Sequence, residues 1–348
     1  MVSAAVRALA GMVDFQHAAT VMRALEYDRY GGISELVLRS VPDPRPRNGE
    51  IAVRVSSAAV APIDWKVMRG DFRFLTGGRM PRRIGCDFSG VVAEVGRDVR
   101  GVEAGHRVFG CINCFRGDRG TMAEVVIARH GEFAISPPGL SFEFAAALSG
   151  SGASAWQCLE LARATAGQCA LIFGASGGVG SYAVQLAKIR GLSVSAVCSS
   201  RNVAAVRNLV VDHVMAYDQQ DVLAIDERFD AVIDTVGSYS FPACRRLLKP
   251  RGHYVTTVPS GRVYGQVWRS RLSRGPRAHA LMVRIEPAVL KELSELAIAG
   301  RIRPLIGGIY DLDHARDAFA QSMTGHAVGK LIVRVGSPGG DADQTEAG

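Results

Sequence analysis

Cys169-Ala170-Leu171-Ile172-Phe173-Gly174-Ala175-Ser176-Gly177-Gly178-Val179-Gly180 runs from an apolar stretch straight into a glycine-rich turn. Beyond it Val179, Ala183, Leu186 and Ala187 fall on one helical face, Gly191 stops the pattern, and 192–198 is a second apolar run. Strand, glycine turn, helix and strand in that order predict one βαβ unit of a dinucleotide-binding fold. The glycines let the backbone turn tightly and approach a pyrophosphate, which the amides and dipole at the helix start then stabilise. The usual fingerprint puts glycine at 175; here the glycines stand at 174, 177 and 180 around Ala175. The plainer alternative is a glycine-rich turn with no ligand, and the flanking strand and helix weigh against it.

The end of the second strand speaks to the choice of dinucleotide. A site for NAD places Asp or Glu there, about 20 residues on, to bond the ribose 2′-hydroxyl. Here the strand ends Val197-Cys198-Ser199-Ser200-Arg201, and no acid occurs between Lys188 and Asp212. Two hydroxyls and a guanidinium, a planar fork of donors, suit a 2′-phosphate. The expected cofactor is NADPH. The competing reading is that Arg201 only begins the next helix in solvent.

The 348 residues suggest two domains, and 48% hydrophobic content supplies two cores. A net charge of +8 and a pI near 9.3 favour an acidic partner, for which a phosphorylated cofactor suffices. Nucleic acid is not favoured: the basic residues are scattered, apart from Arg269, Arg271, Arg274 and Arg277, which read as an exposed loop without aromatic interleaving. Seven widely spaced cysteines do not resemble a secreted disulfide framework, so a reducing cytoplasm is expected. No apolar run approaches the ~18 residues that span a bilayer.

Residues 1–21 read as a disordered extension lacking a secretory pattern, with a transit peptide as the other reading. From 22 to 148 the texture is short strands (23–27, 36–39, 51–59, 85–95, 107–110 and 123–127) between Gly/Pro turns, which suggests a barrel-like domain. From 149 to 303 strands and helices alternate: helix 202–210, strands 213–216 and 229–234, helix 241–248 ended by Pro250 and Gly252, strand 253–258, and helix 288–299 stopped by Gly300. That alternation implies a doubly wound parallel sheet. Residues 304–336 hold a short helix at 314–322 and a strand at 330–335, and 337–348 read as a disordered tail.

These stretches together resemble the zinc-independent medium-chain dehydrogenase/reductase group, and within it the NADPH:quinone oxidoreductase-like proteins. The markers, in order, are Ala61-Pro62-Ile63-Asp64-Trp65-Lys66, Gly85-Cys86-Asp87-Phe88-Ser89-Gly90, Ala145-Ala146-Ala147-Leu148, Ala153-Ser154-Ala155-Trp156, the loop from Gly174 to Gly180, Phe229-Asp230-Ala231-Val232-Ile233-Asp234, Gly300-Arg301-Ile302-Arg303-Pro304 and Gly329-Lys330-Leu331-Ile332-Val333. The resemblance spans nearly all of 22–335. It implies a GroES-like β-domain (22–148), a Rossmann domain (149–303), a return to the first domain (304–336), and a dimer through the Rossmann edge strand. It also implies that Ser176, Gly177, Gly178, Val179 and Gly180 hold the pyrophosphate. Ser199, Ser200, Arg201 and Tyr217 would then meet the 2′-phosphate, and Ser154, Val236 and Gly237 would line the nicotinamide.

Zinc-dependent relatives hold a catalytic ion with Cys, His and a further Cys or Asp. In the same register this chain has Ala61, Cys86 and Ala147, which leaves one ligand where three are needed. The pair Cys111-Ile112-Asn113-Cys114 reads as two thiols rather than a metal lobe. No metal is expected. Without a Lewis acid the acceptor must take hydride readily by itself, as a quinone or an α,β-unsaturated carbonyl does. The resulting oxyanion needs a donor, and Lys66 is the candidate, with Asp64 ordering its loop or capping the following turn. The alternatives are an enoyl-thioester reductase, disfavoured because Phe72 stands where those relatives carry a tyrosine donor, and a non-catalytic NADPH-binding interaction protein.

Overall fold

The computed structural model describes residues 21–336 except Ser273. The expectations for 1–20 and 337–348 therefore lie outside the described residues; Val21 opens the first strand.

The N-terminal half is antiparallel. Strands β1 (Val21–Tyr27), β2 (Val37–Pro42) and β4 (Arg82–Arg83) form one sheet in the order β2-β1-β4, and β3 (Glu50–Val60) runs between β2 and β4 in sequence but belongs to another. In that second sheet β3 pairs with β5 (Asp87–Val95), β5 with β6 (Arg107–Cys111), β6 with β8 (Phe133–Ile135), and β7 (Val125–Arg129) also pairs with β3. Strand β3 is buried along nearly all its length because sheet partners and a helix cover it. Helices α1 (Pro62–Arg69) and α2 (Arg73–Thr76) fill the connection to β4.

The first long helix, α3 (Phe142–Leu161), starts where the Ser141 Oγ accepts the Phe144 N–H. It runs unbroken through the expected boundary at 148/149. Ala146 and Ala147 pack on Ala59 and Ile332 of the β-domain, while Ala153, Ala155 and Leu159 join the core of the second half. A run of alanines lets one helix sit close to both.

The second half is the predicted doubly wound sheet. Strands β9 (Cys169–Phe173), β10 (Ser193–Cys198), β11 (His213–Ala216), β12 (Phe229–Asp234), β13 (Leu248–Thr256) and β14 (Arg277–Ala280) lie in the order β11-β10-β9-β12-β13-β14, all parallel. Helix α4 (Gly178–Ile189) follows β9, and α5 (Val203–Arg207) follows β10. The strand order reverses between β9 and β12, which opens a crevice at their C-terminal ends.

Three sequence expectations are corrected here. The helix expected at 241–248 is a short α6 (Phe241–Cys244) with a single 3-10 turn, and β13 begins at Leu248. Pro250 and Gly252 do not end a helix. They fall in a bulge between Leu248, opposite Phe229, and His253, opposite Ala231, where proline forfeits no ladder bond. The arginine cluster is only in part a loop: Arg269 and Arg271 end helix α7 (Gly261–Leu272), where cations favour the helix dipole, Arg274 lies in the exposed connection, and Arg277 opens β14. Helix α8 (Pro287–Ile298) packs on α3 and stops before Gly300, whose φ is +66°. The chain then returns: β15 (Ile306–Asp311) pairs in parallel with β16 (Lys330–Arg334), which lies antiparallel to β3, with α9 (Ala315–Met323) between them in sequence.

Candidate active site and cofactor cleft

The glycine loop sits at the reversal point. Gly174 has φ +73°, and a Cβ there would lie 2.4 Å from Val236 Cγ2, so only glycine lets β9 turn beside the end of β12. A Cβ on Gly180 would stand 2.1 Å from the Gly174 carbonyl, which explains the third glycine: α4 starts against the turn itself. At Gly177 the only near atom is the same carbonyl, 3.3 Å away. The space above Gly177 is open, as a cradle for a diphosphate requires. Gly178, Val179 and Gly180 form the first turn of α4, where N–H groups have no intrahelical acceptor. This arrangement fits a dinucleotide.

Other residues hold the loop in place. Asn202 Nδ2 donates to Ser176 Oγ at 3.0 Å, and the Gly329 N–H donates to the Ser176 carbonyl at 2.7 Å. Gly177 and Gly329 form a β-bridge, and the Lys330 stem lies over Gly178, where a Cβ would come within 2.8 Å of Lys330 Cδ. The return segment thus clamps the cradle. Gly329-Lys330 was visible in the sequence as a marker, but its role was not.

At the end of β10 the expected group assembles. The Ser199 Oγ is buried and has no hydrogen-bond partner among the described residues. Arg201 is exposed and makes no hydrogen bond or ion pair among them, and Tyr217, 47% exposed, is tied by its N–H to the Cys198 carbonyl at 3.0 Å. One feature was missed. Asp218 accepts both the Ser200 N–H (2.8 Å) and the Ser200 Oγ–H (2.7 Å), which hold its carboxyl below the usual range. An acid absent from the strand end in sequence is therefore present beside it in space.

At the other end of the cleft Val236 is 54% exposed, and the N–H groups of Val236 and Gly237 both donate to Asp234 Oδ1. Asp234 is itself buried and accepts the Tyr254 hydroxyl at 3.0 Å. Ser154 lies within α3, its Oγ donating to the Gly150 carbonyl at 2.7 Å.

The 61–66 segment divides its two candidates. Asp64 is buried at the third position of α1; its carboxylate accepts the Ala61 N–H at 2.8 Å and the Cys86 thiol at 2.9 Å. It is a cap, the role weighed for it from sequence. Lys66 lies over the Trp65 ring, 5.6 Å from its centroid, and partial burial lowers its ammonium pKa, with Asp71 opposing. The Trp65 indole in turn donates to Ser322 on α9. Deeper in, Lys330 Nζ donates to Asp87 Oδ2 at 2.8 Å and to the Val60 carbonyl at 3.0 Å. Asp87 Oδ1 accepts from the Ser149 hydroxyl and the Gly150 N–H. Burial opposes the Lys330 charge, but Asp87 overcomes it and keeps the ammonium protonated.

Comparison with known proteins agrees with this geometry. Residues 47–139 match the alcohol dehydrogenase GroES-like domain family, and 209–333 match the zinc-binding dehydrogenase family. A chloroplastic quinone-oxidoreductase QR1 of Triphysaria versicolor is 31% identical over 91% of this chain and 99% of its own length. The solved structure of a quinone oxidoreductase from Coxiella burnetii superposes with a TM-score of 0.84 at 32% identity, covering 91% of this chain and all of that one. The chain is a quinone oxidoreductase-like member of the medium-chain dehydrogenase/reductase family. The 2-methylene-furan-3-one reductase of Solanum lycopersicum is a further relative, 31% identical over 90% of this chain and 79% of its own length. Membership makes this reductase-type chain an oxidoreductase with a nicotinamide cofactor and a small-molecule acceptor. No helix among the described residues is long and apolar enough to cross a membrane.

In the register that carries the zinc ligands of the zinc-dependent relatives, this chain has Ala61, Cys86 and Ala147. Ala147 packs with Ala59, Ala146 and Ile332, whereas Cys86 faces Asp64, Cys111 and Cys114. Thiols of Cys111 and Cys114 donating to the Cys86 sulfur hold its pKa well down, and the same contacts push both donors up. The solitary buried Cys158 is simply pushed up to about 12 by desolvation.

Proposed function

We propose that this chain is an NADPH-dependent reductase that delivers hydride to a quinone or another activated C=C or C=O acceptor, with no metal touching the acceptor. Bound NADPH supplies the hydride from its nicotinamide ring. The protein binds it by the amides of Gly178–Gly180, with Ser176 and Gly177 closing the turn, and by Ser199, Ser200, Arg201 and Tyr217 around the 2′-phosphate. Val236, Gly237 and Ser154 border the nicotinamide. Lys66 donates to the oxyanion that hydride arrival creates on the acceptor, and Asp64 keeps α1 in register below it.

The observation that carries NADPH over NADH is the buried Ser199 Oγ, unpartnered among the described residues, beside an exposed Arg201 that makes no hydrogen bond among them and an exposed Tyr217. Asp218 is spent on Ser200, which it orients. Phe72 packs edge-on against Phe115 with centroids 5.5 Å apart and carries no hydroxyl, so nothing in this segment favours an enoyl-thioester reaction. The test is cofactor oxidation at saturating quinones, enones and crotonyl thioesters, with NADPH and NADH in parallel. Turnover of quinones or enones with at least tenfold preference for NADPH supports the proposal. Equal use of NADH, by Asp218 turning to a 2′-hydroxyl, overturns the phosphate assignment. Tight binding without any turnover would make this a cofactor-binding interaction protein.

A further inference from the structure

Behind the cleft, the ladder between β5 and β6 builds a second constellation. Asp87 pairs with Cys111, and the Ile112 N–H donates to the Cys86 carbonyl at 2.9 Å, so Cys86 is fixed alongside the start of the Cys-x-x-Cys turn. Helix α1 brings Asp64 from the other side, with its Oδ1 2.9 Å from Cys86 Sγ. The ligand atoms of Asp64, Cys86 and Cys114 lie within 4.8 Å of one another, and so do those of Cys86, Asp87 and Cys111. Cys86 Sγ is common to both sets. Asp87 is already engaged by Lys330, Ser149 and Gly150, which leaves three sulfurs and the Asp64 oxygen. Glycine at 150 keeps this room: a Cβ there would come 2.4 Å from Asp87 Oδ1 and 3.3 Å from Cys111 Sγ.

The ligand atoms of this constellation have few other partners among the described residues. Asp64 is 2% exposed, and among the described residues its oxygens receive only the Ala61 amide and a thiol. The nearby ammonium, Lys330, is committed to Asp87 and the Val60 carbonyl. Three thiols and a carboxyl grouped about the Cys86 sulfur match the preference of a borderline-soft divalent ion for sulfur, and a Cys-x2-Cys turn is a common way to supply two of the ligands.

We propose that Asp64, Cys86 and Cys114, joined by the Cys111 thiol swinging in from its contact with Cys86, form a closed, four-ligand site for one divalent cation of the zinc type. Each thiol that binds the ion releases its proton to the buffer. Four protein ligands leave no position for an acceptor, so the ion ties α1 to the β5–β6 ladder and takes no part in polarising a substrate. Of the Ala61, Cys86 and Ala147 register of the zinc-dependent relatives only Cys86 takes part; Cys111 ends β6 and Cys114 lies in the turn after it.

The test uses the full chain, reduced, stripped with a chelator, and titrated with Co2+ without any nicotinamide cofactor. The expected result is one Co2+ per chain, with intense sulfur-to-cobalt charge-transfer and tetrahedral ligand-field bands, displaced by Zn2+. Cys114→Ser and Cys86→Ser should each weaken Co2+ by more than about 100-fold, beyond the loss caused by outer-shell changes. Cys169→Ser, in β9, should leave it unchanged. Should the serine variants not fold, alkylation of the wild-type protein decides: Zn2+ should protect Cys86, Cys111 and Cys114 together and no other cysteine. Absence of cobalt–sulfur bands, or a disulfide between two of these cysteines in the freshly reduced protein after air exposure with no metal uptake, overturns the proposal. Cofactor binding and turnover do not enter this readout, so it fails or succeeds apart from the reductase reading.

Discussion

The cradle at the start of α4 and the thiol cluster at the end of β5 sit on opposite sides of Lys330, yet they are made in different ways. The cradle is continuous in sequence: β9, its turn and α4 place its amides, and glycine is needed because Cβ atoms at 174 and 180 would collide with Val236 and Gly174. The cluster is assembled from α1, the residue just before β5, the last residue of β6 and the turn after it, brought together by ladder bonds. The comparison teaches that an anion site can be built locally from backbone, whereas a soft-cation site needs side chains from distant segments. Lys330 joins the two, its stem over Gly178 and its ammonium on Asp87.

The largest expected effect breaks the cradle. Gly180→Val should abolish measurable NADPH binding by calorimetry, because the clash is with backbone that cannot swing aside; retained affinity would mean that the dinucleotide lies elsewhere. Next comes the link between the regions. Lys330→Met should cost about 3–5 kcal/mol in denaturant unfolding, since Asp87 is left buried and unpaired. Replacing both members, Lys330→Met with Asp87→Leu, should recover part of that loss.

Arg201→Ala sharpens the cradle's specificity. Loss of a charge-assisted contact to the 2′-phosphate is worth about 1.5–3 kcal/mol, so NADPH should weaken roughly 10–100-fold while NADH changes little. Equal weakening of both would return Arg201 to solvent. Lys66→Ala should lower kcat about tenfold at unchanged NADPH affinity.

The smallest effect lies far from both regions. His279 Nε2 sits 2.9 Å from His253 Nδ1, and desolvation lowers the His279 pKa from 6.5 to about 4. The unfolded chain therefore binds a proton that the folded one refuses between those values. Stability is complete above pH 6.5 and declines as pH falls towards 4. His279→Asn should flatten this part of the Tm–pH profile, and an unchanged slope would assign the decline to other groups.

Much of the cradle was legible because its signals are local: an apolar strand, glycines at 174, 177 and 180, and a helical stripe after them. The doubly wound parallel sheet followed from the alternation of strands and helices. What stayed hidden depends on pairing between distant segments. The nearness of Asp218 to Ser200 follows from the parallel register of β10 and β11, which sets Cys198 beside Ala216. The nearness of Cys111 and Cys114 to Cys86 depends in the same way on the antiparallel pairing of β5 and β6. Pro250 misled in another way: a bulge opposite Asp230 absorbs it, so it marks no helix end.

The central claim, hydride transfer from a phosphorylated nicotinamide cofactor held on the α4 amides, is tested most directly with NADPH deuterated at the transferable C4 position. With an enone acceptor, the account predicts deuterium on the β-carbon of the product, at a rate that falls with Gly180→Val and Arg201→Ala. Full turnover with no deuterium in the product, or NADPH that binds but reduces no quinone or enone, would contradict it.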